Sequence, residues 1–415
     1  MQQVYYKTFL LKYMALLGYC VCMKKTENSK VPVKERYWEN MSTVWAGAGE
    51  KRKRGLRILP KDQGYFVHVT SRTTGQEFLF GDQEKRVFVR MMRQWAAFSG
   101  LTVITHCLMD NHFHVMLWVP TRLELDHKEV LNRLEGVWPE EKVVAWEVYY
   151  KKQDMTTRQR MDAAVTERVA NLPEFMRIIK QSFTRWYNRK MGRRGTLWDS
   201  RYRSVVVEDS PLALMSVAAY IDLNPFRAGM VEDPMSYAFS GYGAAMGGDK
   251  KARKGLNALV HLARGHQPFA ALEVRKKQLN SGKATWQEIG SHMAREHSQR
   301  AAPKNWHDVQ AAYRIWLVSK GESKADLLQV KETFRKRKGL DPVQVIEEYE
   351  SHGHVPLSRG LQVRTRSFTR GVAVGSAGYL EDLMGQYRSC FGAKRKVAKR
   401  RVKSMGDTLF SMRQV

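Results

Sequence analysis

Asn111-His112-Phe113-His114-Val115-Met116-Leu117-Trp118-Val119 is the stretch on which the fold turns. The run from Val115 to Val119 is apolar and reads as a buried strand. Strand side chains alternate between faces, so residues two apart project the same way, with Cα atoms roughly 6.6 Å apart. His112 and His114 therefore share a face, and Phe113 points into the opposite layer. Two neutral imidazoles converging on one spot make half a site for a divalent metal. An isolated pair of this kind is more often two half-exposed strand histidines that bind nothing, so the reading needs a second half.

That second half lies in Tyr220-Ile221-Asp222-Leu223-Asn224-Pro225. Pro211 to Leu223 reads as a helix, with Asp209 or Ser210 as its cap, Pro211 in its first turn and Pro225 ending it. Tyr220 and Asn224 stand four residues apart, on one face and about 6 Å apart along the axis. A phenol is a competent nucleophile, and an amide oxygen can serve as a third metal ligand. The plainer alternative is a Tyr packing on the core and an Asn capping the helix end.

Upstream, Tyr65–Ser71 alternates as a first strand. Asp82–Phe98 is helical, with Val87, Phe88, Met91, Trp95 and Phe98 on one face. Leu101–Cys107 is a second strand and His112–Val119 a third. Residues 123–172 are charged and helical and read as an arm inserted into the core. Leu172–Met191 is a helix with Pro173 in its first turn and Gly192 past its end. Tyr202–Glu208 is a fourth strand. The order β-α-β-β-α-β, then the Tyr220 helix, predicts an α+β fold with a ferredoxin-like antiparallel sheet and flanking helices.

Taken together these blocks resemble the REP-associated tyrosine transposases, single-strand transposases of the HUH (His-hydrophobic-His) nuclease superfamily. The resemblance runs from about Gly64 to Tyr242. It is carried by Phe66-Val67-His68-Val69-Thr70-Ser71-Arg72, Cys107-Leu108-Met109-Asp110-Asn111-His112-Phe113-His114 and Phe183-Thr184-Arg185-Trp186-Tyr187-Asn188-Arg189. Next come Arg194-Gly195-Thr196-Leu197-Trp198, Ala219-Tyr220-Ile221-Asp222-Leu223-Asn224-Pro225-Phe226-Arg227-Ala228-Gly229 and Tyr237-Ala238-Phe239-Ser240-Gly241-Tyr242. The resemblance implies that His112, His114 and Asn224 hold Mg²⁺ or Mn²⁺ and that Tyr220 is the nucleophile. It implies cleavage and rejoining of single-stranded DNA hairpins through a 5′-phosphotyrosine. A DNA-binding protein of the same fold whose chemistry has lapsed is the alternative, and a metal-dependent RNA-binding or RNA-cleaving protein on the same sheet is a third.

Charge points the same way. The chain carries 70 Lys and Arg against 41 Asp and Glu, a formal charge of +29, which calls for a polyanionic partner. Arg185, Arg189, Arg193, Arg194, Arg201 and Arg203 flank Trp186 and Trp198, and basic residues interleaved with aromatics suit single-stranded DNA. The competing reading makes both tryptophans core residues. A membrane-surface protein would need an amphipathic helix or a lipid signal, and neither is evident. The four cysteines (Cys20, Cys22, Cys107, Cys390) form neither a disulfide framework nor a zinc-ligand spacing, so a cytoplasmic, nucleoid-associated setting is expected. The protein is expected to act as a monomer or a homodimer.

Four regions are expected: a basic, disordered leader over residues 1–60, the nuclease domain over 61–247, a helical accessory domain over 248–392, and a basic tail over 393–415. The apolar run Tyr13–Met23 is too short to cross a bilayer and reads as a leader or a start-site artefact, with Met23 and Met41 as alternative starts. The accessory domain, a candidate helix-turn-helix, is read from the capping box Thr285-Trp286-Gln287-Glu288, the amphipathic Trp306–Ser319 and the segment Phe368–Ser376. Lys394–Lys403 packs seven basic residues with no acid and is either a solvated tail or a phosphate-binding one. Tyr187, His352-Gly353-His354, His68 and His106 are set aside. The first two lack correctly placed partners, and the last two read as packing groups or supports behind the site.

Overall fold

The structure, a computed structural model, describes residues 58–60, 63–122, 124–263, 306–318, 367–388, 399–401 and 409–413. It is an α+β protein built on one mixed sheet. The strands are β1 (Tyr65–Arg72), β2 (Thr102–Leu108), β3 (His112–Val119), β4 (Arg203–Val207), β5 (Gly371–Gly375), β6 (Lys399–Arg401) and β7 (Phe410–Arg413), in the order β2-β3-β1-β4-β5-β7-β6. The first four strands pair with one another antiparallel. Between β1 and β2 runs α1 (Asp82–Ser99). Between β3 and β4 come α2 (His127–Glu135), α3 (Glu140–Lys151), α4 (Met155–Thr166) and α5 (Leu172–Met191). After β4 come α6 (Pro211–Asp222), α7 (Asn224–Arg227), α8 (Gly241–Met246), α9 (Lys250–Ala263), α10 (Trp306–Val318), α11 (Ser367–Arg370) and α12 (Ala377–Gln386).

Local chemistry sets the helix ends. Asn171 accepts from the Glu174 N–H to start α5, with Pro173 in the first turn, and Ser210 does the same for α6 at Ala213. Gly100 and Gly192 end α1 and α5 in the left-handed conformation, at φ 68° and 62°. Pro225 does not simply stop the α6 segment. The chain turns at Leu223 and restarts as the short α7, with Pro225 in its first turn, where a missing N–H costs nothing.

Each face of the sheet carries an apolar core. α1, α5 and α12 bury Phe88, Phe175, Phe183 and Leu380 against Val67, Val69, Phe113 and Val115. On the other face α6, α8, α9 and α10 pack Leu214, Tyr242, Leu256 and Tyr313 against Phe66, Met116 and Val205. Each fully buried large apolar side chain contributes roughly 1.5–3 kcal/mol. Gly255 marks how closely α9 lies on β2, because a Cβ there would collide with the Ile104 carbonyl.

Residues 124–171 form a helical excursion with a small core of its own around Val130, Leu134, Val143, Trp146 and Val165. It is moored to the end of α1 by Phe98 and by Arg133, whose guanidinium donates to the Phe98 carbonyl at 2.7 Å.

The C-terminal region departs from the expected helical accessory domain. Gly371–Gly375 is a strand, not helix: β5 joins β4 in parallel, pairing Val206 with Ala373 and Val207 with Val374. β7 and β6 extend the sheet beyond it. The physical reason is the open edge of β4, whose unpaired main-chain groups take up a β-branched segment. Lys399–Arg401, within the basic run, is the last strand and not tail; charge at a sheet edge resists further pairing. Nor is there a packing boundary at residue 247, since α9 and α10 share the core of α6. At the other end Ile58, placed in the leader by sequence, is buried in the α1–α5 core. The Tyr13–Met23 run, the Thr285 capping box and His352-Gly353-His354 lie outside the described residues. Among the described residues no helix is long and apolar enough to cross a membrane.

Candidate active site

The site lies where β1 ends and β3 begins. Register pairs Arg72 with His112 and Thr70 with His114, and Thr70 with Arg203 across to β4. Paired residues share a face, so His114, Thr70 and Arg203 form one row and His112 and Arg72 the next. The ring centroids of His112 and His114 are 5.1 Å apart, with the rings nearly perpendicular. His114 is buried and His112 half-buried. Phe113, between them, enters the opposite core, as strand alternation requires.

The last turn of α6 covers this row. The Tyr220 ring stands 5.8 Å from that of His114 and 6.0 Å from that of His68. Phe368 of α11 meets it edge-on at 5.2 Å. The Arg227 guanidinium sits 4.8 Å above the ring centre, and its Nη1 donates to the Tyr220 carbonyl at 2.8 Å. Only 7% of Tyr220 is exposed. A guanidinium over an aromatic face is attracted by the ring quadrupole.

His68 on β1 touches His114 directly, Nε2 to Nδ1 at 2.9 Å, and its other nitrogen lies 2.7 Å from the Phe368 carbonyl. Burial disfavours the charged imidazole and brings His68 down to about 4. His114 lies well below the ordinary range for the same reason, and the neighbouring imidazoles, Arg227 and Arg72 push the same way. Both rings are therefore neutral near pH 7, the form that coordinates metals.

Asn224, the first residue of α7, uses its side-chain N–H groups to cap α6, donating to the carbonyls of Tyr220 at 3.0 Å and Ile221 at 3.2 Å. The plain capping reading of Asn224 thus describes its nitrogen. Its oxygen is the end with ligand chemistry. Among the described residues no group of three or more His, Cys, Asp or Glu side chains could hold a metal. The donor set offered is two imidazoles, with an amide oxygen one helical turn beyond the tyrosine. That set fits a divalent ion whose remaining positions are filled by a phosphate oxygen and water.

The other expected residues are divided by the sheet. Arg203 is exposed and shares the face of the histidines. Arg185, Arg189, Arg193 and Arg194 belong to α5 and the turn after it, in the layer on the opposite face. Arg193 is half-buried, its guanidinium 5.9 Å from the Tyr187 ring centre, and Arg201 is exposed in the loop before β4. Trp198 lies in the core on the face opposite the histidines. It is 7% exposed, packed among Phe80, Phe113 and Phe183, and its indole N–H donates to Thr184 Oγ1 at 3.0 Å. Once the indole N–H finds a partner inside, nothing opposes burial of so large an apolar surface. Trp186 is half-buried against the same core. Tyr187 is buried there too, across the sheet from the histidines. His106, 2% exposed, points with Val115 into that core. Arg227, Arg72 and Phe368 were missed as site residues. Arg227 follows Tyr220 by seven residues, two helical turns, and Arg72 lies within a quoted motif, so both were visible in principle. Phe368 carried no signal.

No protein-family model matches the chain, and no curated protein matches it. Among solved structures it is similar to a REP-associated tyrosine transposase bound to a REP hairpin, with 12% sequence identity and a TM-score of 0.28, over 48% of this chain and 86% of that one.

Proposed function

We propose that the protein is a metal-dependent tyrosine transposase or endonuclease that cleaves and rejoins single-stranded DNA hairpins. In this reading the first four strands with α1 and α5 are a ferredoxin-like HUH core, Tyr220 is the nucleophile, and His112, His114 and Asn224 are metal ligands. The single observation that carries it is the Tyr220 ring seated 5.8 Å from His114 and beneath Arg227, over a same-face histidine pair. The motif blocks from Phe66 to Tyr242 supply the rest.

Mg²⁺ or Mn²⁺ bound there would polarise the scissile phosphate and steady the leaving oxygen. The Tyr220 hydroxyl attacks phosphorus in line. The new bond joins its oxygen to the 5′ phosphate, the P–O3′ bond breaks, and the phenolic proton is lost. The Arg227 guanidinium over the ring lies close to the negative charge that develops as the bond forms. Attack by a 3′-OH reverses the step and releases phenolate, so strand rejoining consumes no nucleotide. Arg72 and Arg203, which share the face of the histidines, would pair with phosphates.

The test is a gel assay with 5′- and 3′-labelled hairpins and Mn²⁺. The wild-type protein should retain the 3′-side label covalently. Tyr220→Phe should bind DNA without forming the adduct, and Tyr187→Phe, altering the opposite core, should still form it. The assignment fails if the adduct persists in Tyr220→Phe and disappears in Tyr187→Phe.

A further inference from the structure

Each histidine of the pair is joined at Nδ1 to a hydrogen-bonded chain that begins on a main-chain carbonyl. The Phe368 carbonyl lies 2.7 Å from His68 Nδ1, and His68 Nε2 lies 2.9 Å from His114 Nδ1. The Gln76 carbonyl takes the Asn111 Nδ2 donor at 2.9 Å, and Asn111 Oδ1 lies 2.7 Å from His112 Nδ1. A carbonyl oxygen only accepts. His68 must therefore donate from Nδ1, and as a neutral ring it accepts at Nε2. Asn111 likewise turns its oxygen toward His112, because its nitrogen is committed to Gln76. In both chains the proton of the last bond has to come from the histidine Nδ1.

We propose that these two relays lock His112 and His114 in the Nδ1–H tautomer and so present both Nε2 lone pairs to a divalent cation, with His68 and Asn111 as positioning residues. The proposal rests on the reading of the pair as metal ligands. The ring nitrogen that binds a metal is set by the bond the other one makes. Each relay is anchored where the chain is constrained. Gln76 holds a left-handed conformation at φ 59°, uncommon for a residue with a side chain, and its side chain also takes a bond from Arg72 at 3.0 Å. Phe368 belongs to α11, which leads straight into β5, the strand that closes the β4 edge, and its ring packs on Tyr220. The far C-terminal segment thus sets the tautomer of one ligand and walls the tyrosine at once. His68 is 1% exposed, and its two ring nitrogens meet the Phe368 carbonyl and His114, with no carboxylate bonded to either, so its one proton stays on Nδ1 and the chain keeps its polarity.

The test uses full-length, metal-free protein labelled with ¹⁵N-histidine. The NMR spectrum of the wild type should show Nδ1 protonated and Nε2 bare for both His112 and His114. Mn²⁺ binding, measured by titration calorimetry, should weaken about 10–100-fold in His68→Leu and in Asn111→Leu, the range for losing a ligand's orienting partner. His68→Gln supplies an amide oxygen toward His114 and an N–H toward Phe368, and should restore most of the affinity. A proton on Nε2 of either histidine in the wild type overturns the proposal, and so does undiminished Mn²⁺ affinity in folded His68→Leu. Correct tautomers without Mn²⁺ binding would leave the relays standing and remove the metal reading. Correct tautomers and Mn²⁺ binding without a Tyr220 adduct would remove the transposase reading alone.

Discussion

At the scale of single residues, the burial of three histidines has a measurable consequence. His68, His106 and His114 are each at most 4% exposed. Burial lowers His68 to about 4, His106 to about 3 and His114 well below the ordinary value of 6.5. An imidazole with a lowered folded pKa binds fewer protons folded than unfolded, so its contribution is complete above about pH 6.5 and is lost as the pH falls. Asp222 works the other way. Burial raises it to about 6, against bonds from Tyr313, Thr105 and the Tyr242 N–H, so it favours the fold as pH drops below 6. Three imidazoles outweigh one carboxyl. Stability measured by urea unfolding should therefore fall steeply between pH 6.5 and 4, by up to about 1.4 kcal/mol per pH unit for each net proton. His68→Gln should fall less steeply over the same interval. A flat profile would mean that these rings are not neutral in the folded chain.

At the scale of elements, the junction between β4 and β5 decides whether the C-terminal segment belongs to the core. Glu208 holds it. Its carboxylate accepts from the Ser376 N–H at 2.8 Å, the Ser376 hydroxyl at 2.7 Å and the Ser210 hydroxyl at 3.0 Å. One side chain thus ties the start of α6 to the end of β5. Glu208→Ala leaves these donors without their acceptor and should cost roughly 1–3 kcal/mol, with protease susceptibility rising in the C-terminal segment. Unchanged proteolysis would show that β5 is held by its ladder alone. The inserted helices behave oppositely, because α2–α4 have their own small core and touch the rest mainly through α1. Replacing residues 124–171 by a short linker should leave a soluble protein with a cooperative melt, lowered by exposure of Phe98. Insoluble protein would place the excursion within the folding core.

At the scale of the whole molecule, the net charge of +29 predicts DNA binding that weakens sharply with salt. Each neutralised phosphate of a single strand adds about 0.7 to the slope of log affinity against log salt. Deleting the last residues is a poor test of the basic run, because it would strip β6 and β7 from the sheet. Replacing Lys394, Arg395 and Lys396 by Gln removes charge and leaves both strands. The slope should then fall in magnitude, and an unchanged slope would make the run a bystander in binding.

The sequence by itself determined what is local. Alternation in Asn111–Val119 placed both histidines on one face, the Ser210-Pro211 start placed α6, and four-residue spacing put Asn224 one turn beyond Tyr220. Periods of two and 3.6 residues are written in the order of the side chains. It also carried the α+β order of elements as far as β4 and the helical character of residues 124–171. What it left unread is what depends on distant neighbours. Gly371–Gly375 became a strand because β4 offered an unpaired edge, which no window of sequence contains. Trp198 went inside because Thr184 was there to take its indole N–H. His68 reached His114 because β1 and β3 pair in one register, and Phe368, 300 residues beyond His68, reached both it and Tyr220. Those contacts are set by packing across the sheet, and only the tertiary structure decides which residues meet there.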